Sequence, residues 1–274
     1  MIHAAGASVN LEGWLTALEA AIDGIVWGQW GHCRRMDRVL SENTGMNDLI
    51  MSWSGGKDSA LCLYKMMQER QPVGCLLTNI NRGFDPISMH GVRRSLLETQ
   101  ALSIGLPLEL VSLPEQPDMK DYEEVTRLTI EGLRAEGYRG IAFGDIFLED
   151  LKEYRQRQMQ ALQMGCYFPL WKAHPGQLME EFLGLGFKAI VVCVNSARLD
   201  ESFCGREIDR SFIRDLPAGV DICGENGEYH SFVYDGPIFS RAVDFRKGNI
   251  DYKEYRGVSG EKPAGFYFCD LLSI

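Results

Sequence analysis

The sequence predicts an α/β protein: a doubly wound parallel sheet followed by a smaller C-terminal α+β region. Three observations carry that reading. Short apolar runs alternate with helix-period segments from Leu49 to about Gly165. A glycine-rich turn, Ser54-Gly55-Gly56-Lys57-Asp58-Ser59, follows the first apolar run and opens the first helical segment. Beyond Gly165 the elements shorten, glycine becomes more frequent and the apolar pattern alternates.

The elements follow in order. Leu49-Ile50-Met51-Ser52-Trp53 reads as a buried strand, and the pattern from Ala60 to Met67 as helix. Residues 73–80 read as strand, 92–102 as helix, 108–112 as strand, 122–136 as helix, 140–143 as strand and 151–164 as helix. In the second region, 175–183 reads as helix and 188–194 as a continuous apolar strand. Residues 229–234, 239–245 and 265–272 read as short strand-like elements. The expected division is a 1–46 extension, a 47–165 nucleotide domain and a 166–274 substrate domain, with chemistry in the cleft between the last two. In the extension, Leu11, Trp14, Leu15, Leu18, Ala21, Ile22, Ile25 and Val26 fall at helical spacing. Glu12, Glu19 and Asp23 interrupt that face and no basic stretch precedes it, which makes it a poor secretion signal.

The turn at 54–59 carries the chemistry. Where a strand feeds a helix through glycines, backbone N–H groups and the positive helix end face one small volume that suits phosphate. Lys57 adds a full charge and Ser59 a hydroxyl; Asp58, an anion, points to an intermediary metal ion or water. The expected ligand is a nucleotide with Mg²⁺. A Walker loop is excluded because Met51 stands where its first glycine belongs and Asp58 follows the lysine. A dinucleotide fingerprint is excluded because Gly55-Gly56 does not extend to G-x-G-x-x-G. At the ends of later strands, Asn79 and the pair Gly144-Asp145 lie where such a sheet binds its ligand.

A second motif, Gly224-Glu225-Asn226-Gly227-Glu228-Tyr229-His230, crowds two carboxylates, an amide and an imidazole around two glycines. Strand periodicity through the following residues would place Glu228 and His230 on one face, able to bind an amine or exchange protons. Alone, the segment would also serve as a hairpin turn with solvated glutamates.

Composition bounds the partners. Hydrophobic residues make up 45% and charged residues 24%, enough for a sizeable core. There are 28 lysines and arginines against 38 aspartates and glutamates, a net charge of −10, which weighs against nucleic acid. No apolar run reaches the roughly 20 residues a membrane span needs. The eight cysteines form no C-x-x-C pair, which fits a reducing cytoplasm and encodes neither a zinc knuckle nor a redox pair. A homodimer is expected on general grounds.

The six residues 54–59 after a strand resemble the signature of PP-loop ATP pyrophosphatases of the adenine nucleotide alpha hydrolase-like superfamily. Together with Gly224-Glu225-Asn226-Gly227-Glu228-Tyr229-His230-Ser231-Phe232-Val233-Tyr234-Asp235-Gly236-Pro237, they resemble the diphthine–ammonia ligase family. Phe143-Gly144-Asp145-Ile146, Phe168-Pro169-Leu170-Trp171 and the stretch from Leu199 to Glu207 agree in order. The resemblance covers about residues 47–245. It implies that Ser54, Gly55, Gly56, Lys57, Asp58 and Ser59 hold the ATP phosphates and magnesium, with Asp58 on the metal. It places Asn79, Gly144 and Asp145 on the adenosine side, and His90, from Met89-His90-Gly91, near the nucleotide or the activated acid. Glu201, Arg206, Glu225, Asn226, Glu228 and His230 would shape the acceptor and ammonia pockets, with Lys57, Asp58, Glu228 and His230 closest to the chemistry. Asn226 stands where many relatives have glycine, which a left-handed turn tolerates; Cys204 and Ser231 are further departures.

The activity implied is amide synthesis through adenylation, with ATP, ammonia and a carboxylate-bearing acceptor as partners. Action on another acceptor, such as a corrinoid acid or a tRNA base, stays open, as does ATP binding without catalysis. The missing cysteine pair and the acidic balance weigh against tRNA thiolation.

Overall fold

A computed structural model describes residues 48–81, 91–114, 119–255 and 264–274. The helical pattern at 11–26 and His90 lie outside the described residues. The first layer contains strands β1 (Leu49–Ser52), β2 (Val73–Asn81), β3 (Leu108–Leu113), β4 (Gly140–Ala142) and β5 (Gly165–Tyr167). They form one sheet in the order β3-β2-β1-β4-β5, and every pairing in it is parallel. The crossovers run through α1 (Lys57–Gln68), α2 (Arg94–Ile104), α3 (Met119–Ala135) and α4 (Glu149–Ala161).

Period-two alternation decides which helices cover which face. Leu49, Met51 and Trp53 share a cluster with Leu61, Leu63 and Leu97 of α1 and α2. Ile50 points the other way, into Ile130 and Leu133 of α3 and Met159 of α4. Both faces are covered, as a parallel sheet requires. This is the doubly wound arrangement expected from the alternating pattern. β5 is the strand that pattern does not reveal; it is three residues long and straddles the composition shift at 165.

The second region holds α5 (Pro175–Gly184), β6 (Lys188–Asn195), a 3₁₀ turn (Glu201–Phe203), α6 (Arg210–Asp215), β7 (Tyr229–Asp235), β8 (Phe245–Tyr255) and β9 (Ala264–Ser273). Its strands form an antiparallel sheet in the order β7-β6-β9-β8. The expected element at 239–245 is corrected: only Phe245 is in a strand, and β8 runs from there for 11 residues of mostly exposed sequence. The alternation at 238–243 arises because Ile238 and Val243 are buried while the backbone bonds piecemeal, Ser240 N–H to Ser103 O and Val243 N–H to Tyr234 O.

One continuous apolar cluster joins the two regions, running from α1 and α2 into Ala189, Val191 and Phe232 of the second sheet. Polar contacts reinforce it. Arg93, just before α2, makes two bonds of 2.8 and 2.7 Å to the Asp270 carboxylate on β9. Val233 N–H donates to Gly55 O at 2.9 Å, so β7 bonds directly to the glycine-rich turn. The fully buried Gln100 of α2 donates to Gly55 O at 3.0 Å and Val233 O at 2.6 Å, and accepts from Trp53 Nε1–H at 2.9 Å. Among the described residues, no helix is long and apolar enough to cross a membrane.

Buried polar atoms that lose their partners cost about 1–3 kcal/mol each. Gln100→Leu keeps the volume but strands the Trp53 indole N–H and thins the bonding of two carbonyls. It is expected to lower unfolding free energy by about 2–5 kcal/mol in urea titration, with Leu102→Ala, at an exposed position on the same helix, as the neutral control.

Candidate active site

The sheet order reverses direction between β1 and β4: the chain leaves β1 into α1 on one face and leaves β4 towards α4 on the other. A crevice opens at the carboxyl ends of these neighbouring strands, as in open α/β sheets generally. It is lined by the 54–59 turn, by Asn79 near the carboxyl end of β2, by Gly144 and Asp145 after β4, and by Glu225, Tyr229, His230 and Ser231 from the second region.

Geometry explains the two glycines of the turn. Gly55 adopts φ +77, and a Cβ there would lie 2.6 Å from Leu97 Cδ2. A Cβ on Gly56 would lie 3.0 Å from Ser231 O. Protein, namely α2 on one side and β7 on the other, therefore occupies the space that a side chain would need. Gly144 does the same for the opposite wall: its Cβ would stand 3.0 Å from the Asp58 carbonyl. The turn's free donors are tied down in this state. Gly56 N–H donates to Ser54 Oγ and Lys57 N–H to Ser231 Oγ, both at 3.2 Å. Ser59 Oγ donates to Gly56 O at 2.9 Å and lies 3.1 Å from Ser54 Oγ.

Lys57 is buried at the first position of α1, its ammonium 2.6 and 2.8 Å from the two oxygens of Asp58. Burial opposes its charge, but the Asp58 carboxylate outweighs this and holds the lysine pKa above its ordinary range. Nζ also lies 5.5 Å from the Tyr229 ring centroid. Across the crevice, Asp145 pairs with Arg155 of α4 at 2.8 Å, and the guanidinium stacks 4.3 Å from the Phe143 ring. Asn79 Nδ2 reaches Tyr122 Oη at 3.4 Å.

The second motif divides its residues between two tasks. Glu228 is buried and accepts from Asp221 N–H, Asn226 N–H and Asn226 Nδ2 at 3.0–3.2 Å, closing the loop on itself. It does not line the crevice. The expected shared face of Glu228 and His230 is corrected because β7 begins at Tyr229, so Glu228 lies in the turn, where strand periodicity does not apply. Asn226 is exposed and serves the same loop closure. Gly224 (φ +70) makes room for the Tyr229 ring, 2.8 Å from its missing Cβ. Glu225 instead reaches across to the first region, its Oε1 accepting Ile146 N–H at 2.8 Å. Burial, followed by the nearby Asp58 charge, pushes its carboxyl up to about 8.

Glu201 and Arg206 are not brought to the crevice. Glu201 is exposed on the 3₁₀ turn, and Arg206 pairs with Asp215 at 2.9 Å. Three residues given no site role in the sequence reading serve the site: Ser231 and Arg155 line it, and Gln100 braces its turn. Gln100 left a legible signal, a polar residue in phase with the apolar positions Leu96, Leu97 and Ala101. Ser231 and Arg155 left none, because their roles depend on contacts across the sheets.

No cluster of three or more His, Cys, Asp or Glu side chains able to hold a metal exists among the described residues. Asp58 has both oxygens on Lys57. This donor set does not fit a metal caged by protein alone. It fits Mg²⁺ arriving with phosphates, since that ion usually keeps one or two carboxylates with waters and substrate oxygens.

Two family models match: one described as diphthamide synthase N-terminal domain over residues 46–164, and one as diphthamide synthase C-terminal domain over residues 174–264. Relatives named diphthine–ammonia ligase include the human protein, 27% identical over 221 residues, covering 69% of this chain and 79% of that one. The bovine relative is 28% identical over 135 residues, covering 47% of this chain and 49% of its own length. A solved structure of a predicted subunit of tRNA methyltransferase from Methanocaldococcus jannaschii aligns at TM-score 0.37 and 15% identity, over 69% of this chain and 97% of that one. That likeness is too distant to speak to function.

Glu225 links pH to stability. Its raised folded-state pKa favours the protonated form, so its contribution is full below about 4.5 and is lost as pH rises through about 8. Glu225→Gln, which retains an acceptor for Ile146 N–H, is expected to flatten that part of the stability profile. Urea midpoints measured from pH 4.5 to 8.5 check this.

Proposed function

Because the chain belongs to the diphthamide synthase family, we propose that this ATP-dependent ligase forms an amide by adenylating a carboxylate and passing the acyl group to ammonia. The observation that carries the proposal is the shared crevice. A phosphate-type helix N-terminus with buried Lys57 opens on the same space as Glu225 and His230 from the second region. Nucleotide and acceptor can therefore meet without a large rearrangement. Diphthine, named by the relatives, is one acceptor of the required class.

In the first step a carboxylate oxygen attacks the α-phosphorus of ATP, and the bond to the pyrophosphate oxygen breaks. Negative charge grows on the departing pyrophosphate. Lys57 is aimed there from the base of α1, with the helix dipole behind it, and stabilises that charge in a partly dry site. Mg²⁺, when bound with the triphosphate beside Asp58, supplies further neutralisation of the phosphate charge. The N–H groups of Gly56 and Lys57, now held by serine hydroxyls, are the loop donors that phosphate oxygens would take over. On the far wall, Asn79, Phe143 and the Asp145–Arg155 pair present polar and stacking surface for the nucleoside. In the second step ammonia attacks the acyl carbon, and AMP leaves.

The test is product analysis with ATP, ammonium and a panel of carboxylic acids. AMP and pyrophosphate formed with one acid support the reading, whereas ADP and phosphate would overturn it. Lys57→Ala is expected to lower turnover by roughly 10²–10³-fold, the usual loss for one charge-stabilising donor. Full activity in that variant would remove Lys57 from its assigned role.

A further inference from the structure

Three carboxylates face the crevice from different elements, and they are not equivalent. Asp58 at the start of α1 has the Lys57 ammonium on both oxygens. Asp145, after β4, has the Arg155 guanidinium of α4. Glu225 has no cation bonded to it among the described residues. Its Oε1 is fixed by the Ile146 backbone N–H at 2.8 Å, and among the described residues nothing donates to Oε2. Its own N–H is anchored to Asp221 Oδ2 at 2.9 Å, and Glu228 closes the loop behind it. The carboxylate is thus held by one oxygen on a stiff loop with the other left over, at the rim of a space lined by Lys57, Asp58 and Gly144.

We infer that Glu225 is the residue that takes up the ammonium ion for the second half of the reaction and removes its proton. This rests on the amide-forming reading above. A carboxylate with one oxygen committed to the backbone and no partner for the other is short of a small cation carrying N–H donors, and ammonium is the smallest such cation. A guanidinium or lysine side chain is not needed there, because the protein already supplies those to Asp58 and Asp145. The surroundings also suit proton removal. Burial, then Asp58 and Asp145, oppose charge on Glu225, Lys57 partly offsets them, and Cys223, Tyr229 and His230 complete the wall. In the empty crevice this carboxyl, pushed up to about 8, is largely protonated at neutral pH; the charge of an arriving ammonium favours its anion, which then accepts a proton from ammonium more readily than an ordinary glutamate does.

The step balances as follows. Ammonium gives one proton to Glu225 and becomes ammonia. The nitrogen lone pair forms the C–N bond to the acyl carbon while the C–O bond to the phosphate of AMP breaks and AMP departs with that electron pair. The new amide nitrogen loses its second proton to solvent, and Glu225 returns its own to solvent before the next cycle.

The experiment separates the two halves of the reaction. Acid-dependent ATP–pyrophosphate exchange without ammonium reads adenylation, and amide formation across an ammonium titration reads the second half. Glu225→Gln is expected to raise the KM for ammonium roughly tenfold or more, in line with loss of one hydrogen bond to a charged group, and to reduce amide formation at least tenfold more than exchange. In that variant, activity should recover as pH rises and solution supplies free ammonia. Glu225→Asp, which keeps the charge on a shorter arm, should fall between the parent and Gln, and it provides the reading if the Gln variant does not fold. An ammonium KM within twofold of the parent in both variants, or equal losses in exchange and amide formation, would overturn the assignment. Absence of exchange in the parent with every acid tested would instead refute the adenylation reading.

Discussion

The bond between Val233 N–H and Gly55 O is the constraint on which the site depends. A glycine-rich turn on its own samples many conformations, and a phosphate site gains from having that freedom removed beforehand. Here the turn is a partner in β7's hydrogen bonding, with Gln100 bridging both carbonyls from below. The missing Cβ atoms of Gly55 and Gly56 allow α2 and β7 to approach. These glycines hold the turn in shape as much as they open it to a ligand. The same contact fixes the second region over the first, so that the crevice has two walls and an apolar cluster continuous beneath them.

Much of this was legible in the residues. The alternation of Leu49, Ile50 and Met51 between two helical layers follows from period two, and the phosphate-type turn follows from strand, glycines and helix in that order. What the sequence concealed was of two kinds. Short or solvent-facing elements carry no strong pattern: β5 has three residues, and β8 is exposed along nearly its whole length. The division of labour within 224–230 was also hidden. Glu225 and Glu228 are chemically alike and three residues apart, yet one closes a turn and the other crosses to Ile146. Both precede β7, so strand periodicity separates neither, and only their partners in the folded turn tell them apart. Glu201 and Arg206 show the opposite failing: resemblance drew them to the site, while Arg206 is committed to Asp215.

Electrostatics in the crevice is a matter of matching. Two of its three acids carry a built-in cation, which keeps a partly buried acidic site from repelling an anionic ligand outright. The arginine also rests against Phe143, so the charge neutraliser of Asp145 adds flat surface to that wall of the crevice.

The neighbouring positions of Lys57 and Asp58 have a further consequence. A cation and an anion on consecutive residues form a compact dipole with little net field beyond a few ångströms, so a lone oxyanion drifting in gains much less than it would from a bare ammonium. Only a ligand that brings its own counter-charge can engage both members together, the phosphate taking the lysine while the accompanying ion takes the aspartate. Inorganic sulfate or free phosphate would thus be weak competitors, and the pocket would discriminate by charge stoichiometry before it discriminates by shape.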